Sequence, residues 1–235
     1  MPYYGFYFDP TYILVIIGAV ICLAASARVK STFRKYDRVR SMSGMTGAQA
    51  AERILRAAGI DDVSVQHVSG DLTDHYDPRN KVLRLSDSTY GSASVAAVGV
   101  AAHECGHAIQ HQKSYAPLTI RGAIVPVANF GSAAAWPLIV IGLFINSHTG
   151  TLLIDIGILC FSLAVMFQLV TLPVELNASR RAVHILGETG ILDSQELKGT
   201  RKVLKAAALT YVAGAASAIL QLLRLVLLFG GRNDD

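Results

Sequence analysis

Basic residues are absent from the first 27 positions, and charge is scarce throughout. Charged side chains make up 16% of the chain against 52% hydrophobic ones, too few to coat an ordinary soluble globule. Cysteine is also sparse. Cys22, Cys105 and Cys160 are widely separated, with no CxxC pair, which argues against a disulfide framework. No basic patch is interleaved with aromatics, and the net charge is only +4, so nucleic acid is not an expected partner. Internal repeats and low-complexity stretches are lacking as well.

Long apolar runs, by contrast, are plentiful. A helix needs about 20 mostly apolar residues to cross a hydrocarbon core. Four segments approach or meet this, at residues 12–27, 120–145, 151–172 and 212–230. The first has no positive region before it, as a secretory signal requires, and reads as a retained anchor. Lys and Arg then set the orientation. Six of them lie in RVKSTFRKYDRVR at 28–40, while the link NSHTG between the second and third spans has none. The expectation is a multi-pass protein with its N-terminus outside and residues 28–119 and 173–211 in the cytosol. Asp155 and Arg224 fall inside spans, where they either pair or snorkel to the outer interface. Pro126, Pro137 and the run AGAASA suggest closely packed or locally broken helices. They are equally compatible with a homo-oligomer or a membrane-protein partner.

The first long loop reads as a small α+β domain, and the chain as a mainly α membrane protein with four transmembrane helices. MTGAQAAERILRAAGI has helical spacing, with Thr46 and Gln49 placed for a capping box and Gly59 placed to end the helix. VSVQHV and KVLRLS are strand candidates on either side of the turn-rich DLTDHYDPRN. A long buried helix follows, starting near Ser88 or Ser92. The second loop is helical, with Pro173 expected to kink or restart the chain. Asp193 with Glu196 makes a further capped start.

That buried helix contains AAHECGHAIQHQ, and His103-Glu104-x-x-His107 matches the zinc signature HExxH. Residues four apart share a helix face, so the two histidines can hold one ion with Glu104 beside them as a base. The alternative is a pair of satisfied core histidines. Burying these groups in an otherwise apolar helix without partners costs several kcal/mol, and one metal ion removes that cost. Catalytic zinc takes three protein ligands. His111 lies about 12 Å of helical rise from His103, too far along a straight helix to join the same ion. Cys105 points away and reads as packing. Glu175 is the stronger third candidate, because two crossings return the chain to the side it left. The alternative for Glu175 is an interfacial carboxylate paired with Arg180 or Arg181.

HECGH followed by ExxAS and RAVxxLG resembles the gluzincin arrangement of HtpX-like and CAAX-prenyl proteases. With DHYDPRNKVLRLS and TLPVELNASRRA the chain more closely resembles the YugP-like family of bacterial membrane zinc metallopeptidases, over nearly its whole length. The resemblance implies a gluzincin-like domain and one Zn2+ per chain, held by His103, His107 and Glu175, with Glu104 as catalytic base. It also implies that KVLRLS is the edge strand that pairs with an extended substrate, the alternative being an ordinary structural strand. Where the HtpX-like pattern has Asp, this chain has Ser179, a neutral hydroxyl able to orient a zinc histidine. Arg180, Arg181, His184 and Tyr90 are candidates for stabilising charge at the reacting carbonyl. His184 falls on the face opposite Glu175 unless the helix bends. The expected function is hydrolysis of membrane-associated or unfolded membrane proteins at the cytosolic face of the bilayer. The rival readings are a non-proteolytic zinc sensor or scaffold, and a small transporter, which the polar domain preceding the motif disfavours.

Overall fold

A computed structural model describes residues 9–230. The N-terminal tail before residue 9, used above to argue against a secretory signal, lies outside the described residues. Seven helices and three strands follow in the order α1 (Tyr12–Asp37), α2 (Gly47–Ala57), β1 (Ser64–His67), β2 (His75–Asp77), β3 (Val82–Leu85), α3 (Asp87–Tyr90), α4 (Val95–Gln112), α5 (Ala116–Phe144), α6 (His148–Glu188) and α7 (Ser194–Phe229). Helices α1, α5, α6 and α7 are long and apolar enough to cross a membrane. The chain divides into two compact units. Among the described residues, one comprises 9–24, 121–170 and 212–230; the other comprises 25–120 and 171–211.

In the first unit small residues let helices approach closely. A methyl group added at Gly131 would lie 2.7 Å from the Cys160 carbonyl oxygen, and one at Gly142 would lie 2.6 Å from that of Gly150. Such approach is how helices associate where apolar burial gives no driving force. Arg224 does not pair with Asp155. Its guanidinium donates to Asp9 Oδ2 at 3.3 Å and to Thr11 Oγ1 at 3.2 Å, and lies 4.2 Å from the Tyr12 ring centroid. A carboxylate just before α1 thus satisfies a charge that sequence spacing could not assign.

The second unit is built on one core that joins the first long loop to the second. Ala51 and Ile54 of α2, Leu83 and Leu85 of β3, and Ala102 and Cys105 of α4 form one buried cluster with Ala182 and Leu186 of α6. The cap of α2 is the reciprocal box read from sequence: Gln49 N donates to Thr46 Oγ1, and Thr46 N to Gln49 Oε1. Gly59 adopts φ +68° just beyond that helix, a conformation glycine takes without penalty. At α7, Asp193 Oδ1 accepts from Gln195 N and Glu196 N, while Asp193 N donates to Glu196 Oε2.

Three readings need correction. First, KVLRLS is not an edge strand. The sheet order is β1-β3-β2, with β1 parallel and β2 antiparallel to β3, so both sides of β3 are taken. The turn-rich segment supplies β2. Asp77 then reverses the chain by accepting from the backbone of Arg79 and Asn80 and from Asn80 Nδ2, an Asx-type turn. Second, the motif helix starts later than Ser88 or Ser92. A short α3 intervenes, and Ser94 Oγ caps α4 by accepting from Ala97 N at 3.1 Å. Third, α6 runs through Pro173 without a break, so 173–188 continues the third apolar helix.

Candidate metal centre

Gly106, in the middle of HECGH, positions the site. A methyl group at this residue would sit 2.6 Å from the carbonyl oxygen of Ala178. Only a bare Cα allows α4 to lie this close to α6. The contact is one residue before Ser179 and three after Glu175, so it brings the carboxylate to the histidines. Gly99, seven residues earlier on the same face of α4, does the same for α7, where an added methyl would meet Thr200 Cγ2 at 2.8 Å.

His103, His107 and Glu175 converge, each offering an atom within 4.8 Å of the others. His103 Nε2 is 3.2 Å from Glu175 Oε2, and His107 Nε2 is 3.5 Å from the same oxygen. All three side chains are largely buried, Glu175 to 3% exposure. A tetrahedral zinc with bonds of about 2.0–2.1 Å separates adjacent donor atoms by about 3.3 Å, so the donor set fits that ion.

The outer ring nitrogens fix which atoms face inward. His107 Nδ1 lies 3.0 Å from Gln110 Oε1. Gln110 is fully buried, and its amide nitrogen donates to Val174 O at 2.8 Å and Asn177 Oδ1 at 3.0 Å. Its carbonyl must therefore face His107, so Nδ1 carries a proton and Nε2 faces Glu175. On the other side Ser179 Oγ is 3.2 Å from His103 Nδ1. A buried carboxylate oxygen this close to two ring nitrogens needs positive charge between them, supplied either by ring protons donated to Glu175 or by a metal ion in their place. Burial alone would push the Glu175 carboxyl up, but hydrogen bonds from His103 and His107 outweigh it and hold it below the usual carboxylate range. Burial likewise disfavours a charged His107, yet the hydrogen bond to Glu175 and the nearby Glu104 raise its pKa above the ordinary histidine value.

Glu104, 8% exposed, lines a cavity of about 180 Å³ together with His103, Glu175, Ser179, Leu72 and Tyr211. Leu72 stands on the loop between β1 and β2 with φ +57°. His111 is elsewhere: its Nδ1 is 2.9 Å from the Tyr76 hydroxyl. Cys105 is fully buried and aims its thiol at Ala51 O; burial pushes that thiol well up. Of the remaining candidates, Arg181 donates to Asn177 Oδ1 at 2.7 Å and stacks over Tyr115. His184 pairs with Glu188 at 3.0 Å and is 72% exposed. Neither arginine, nor His184, nor Tyr90 lines the cavity of Glu104. Gln110, Asn177, Leu72 and Tyr211 went unnoticed in the sequence. The only signal for the first was a lone glutamine three residues past the motif.

Two comparisons bear on this site. A family model described as "Putative neutral zinc metallopeptidase" matches residues 11–230. The chain belongs to that family. It is also 48% identical over 223 residues, spanning 94% of this chain and 98% of the relative, to a Bacillus subtilis (strain 168) protein named "Putative membrane protease YugP". No solved structure gives a significant match. Family membership implies zinc, and His103, His107 and Glu175 are the donor cluster able to receive it.

Proposed function

We propose that this protein is a membrane-embedded zinc endopeptidase in which His103, His107 and Glu175 hold the metal and Glu104 is the catalytic base. The observation that carries the reading is the convergence of three donors of the right chemistry beside a buried glutamate in one cavity. Zinc held there supplies Lewis acidity, which brings the pKa of water to about 7. Glu104 takes a proton from the attacking water as it adds to the peptide carbonyl, then returns it to the leaving amine. Tyr211, on the same cavity wall, is our candidate to donate a hydrogen bond to the carbonyl oxygen as it gains charge. An extended substrate would pair with one of the two edge strands, β1 or β2, since β3 has neighbours on both sides.

The distribution of Lys and Arg supports a cytosolic site, and the long apolar helices support substrates that are themselves membrane proteins or segments beside a membrane. Glu104→Gln tests the chemistry. It keeps the carbonyl oxygen and the shape but cannot accept the proton, so peptide cleavage should fall by about 10²–10⁴-fold while bound zinc stays at the wild-type level. Equal cleavage by Glu104→Gln and wild type would favour a zinc-binding sensor or scaffold instead.

A further inference from the structure

The cavity of Glu104 adjoins a larger groove of about 560 Å³, within the roughly 300–1,000 Å³ range of ligand pockets. The two share Ser179, Leu204 and Ala208 as lining. On α6, Leu176, Arg180 and Val183 fall at i, i+4 and i+7. On α7, Arg201, Leu204, Lys205 and Ala208 fall at i, i+3, i+4 and i+7. Each set is a single helical stripe, and both stripes face the groove. Cations thus alternate with apolar side chains along both walls.

No Asp or Glu lines this groove. Among the described residues, Arg180, Arg201 and Lys205 have no carboxylate partner. His184, which also lines it, is paired with Glu188. Elsewhere in the chain Arg84 and Arg224 are each matched by an aspartate. A concave surface with three unmatched cations and an apolar floor complements a carboxylate carried on a short methylene stem. Guanidinium and ammonium groups bind such anions through charge-assisted hydrogen bonds.

We propose that this groove is a substrate subsite selecting an acidic side chain, Asp or Glu, close to the bond that Glu104 acts on. The inference rests on the peptidase reading above and names a specificity for the same site. A peptide is favoured over a phospholipid headgroup as the occupant because the groove shares three lining residues with the catalytic cavity.

The test uses the zinc-loaded full chain in detergent and a library of defined-sequence peptides, with cut sites read by mass spectrometry. Wild type should enrich Asp and Glu at one fixed position relative to the cut by about tenfold. Arg201→Glu/Lys205→Glu should reverse that position toward Lys and Arg, and the charge-conserving Arg201→Lys/Lys205→Arg should keep the acidic preference. Zinc content of each variant checks that it is folded. Cutting by wild type with no acidic preference overturns this inference and leaves the peptidase reading standing. No metal-dependent cutting at all overturns both. A flat preference, with anionic phospholipid retained by wild type and lost from the charge-reversed variant in native mass spectrometry, would assign the groove to lipid and overturn the subsite.

Discussion

Gln110 Oε1 lies 3.0 Å from Nδ1 of His107, and the amide nitrogen of the same glutamine is held by Val174 O and Asn177 Oδ1. The amide cannot flip without losing its two bonds to Val174 O and Asn177 Oδ1, so its oxygen faces Nδ1 and dictates the histidine tautomer. Asn177 is in turn anchored by Arg181. A relay of neutral groups ending on one arginine therefore orients a candidate zinc ligand from outside the site.

Gln110→Leu keeps the volume but removes the acceptor, and should weaken zinc binding by about 10–100-fold, the usual cost of losing such an orienting partner. Competition with a chromophoric chelator measures it. Gln110→Glu keeps an acceptor toward His107 and should recover part of that loss.

Ser179→Asp should tighten zinc binding relative to wild type. A carboxylate accepting from His103 Nδ1 makes the ring a stronger donor than a hydroxyl 3.2 Å away does. Ser179→Ala should move the affinity the other way, by the same chelator measurement. An affinity unchanged in both would mean that Ser179 merely packs.

Gly106→Ala should destabilise the fold by about 1–3 kcal/mol, the usual cost of overpacking, because the new methyl meets the Ala178 carbonyl oxygen. It should also lower zinc content, since α4 and α6 must separate. Thermal unfolding with and without zinc separates the two effects. An alanine at Gly122, where an added methyl meets nothing within 4 Å, serves as the control.

The long apolar helices were legible in the sequence because a run of about 20 apolar residues is a local pattern, and HExxH is local in the same way. The caps at Thr46 and Asp193 were legible for the same reason. Glu175 is not local to HExxH: it was reached by counting membrane crossings, and the structure brings it within 4.8 Å of His103 and His107. Strand order was not legible. KVLRLS reads as a short apolar strand, and only its pairing with both β1 and β2 makes it central. β2 was hidden inside a segment rich in Asp, Asn and Pro, whose turn chemistry masks three extended residues. Gln110 and Tyr211 carry no motif; their roles exist only once α6 and α7 lie against the cavity. The partner of Arg224 was missed because Asp9 lies 215 positions away in sequence.

Tyr211→Phe should lower the rate of peptide cleavage by about 10²-fold or more, as loss of a donor to a developing oxyanion does, with zinc content unchanged. Steady-state kinetics should show the loss in kcat with KM little altered. A change confined to KM would assign Tyr211 to substrate contact alone.

If one metal is held by residues from two separate stretches of chain, elemental analysis of zinc in the detergent-purified protein should show it, comparing wild type with Glu175→Ala and His111→Ala. Wild type should carry about one zinc per chain, in keeping with a three-ligand site. Zinc should be lost with Glu175→Ala and kept with His111→Ala, whose ring is engaged by Tyr76. Zinc that survives Glu175→Ala and leaves with His111→Ala would mean a site that runs along α4 alone, and would rule out Glu175 as a ligand.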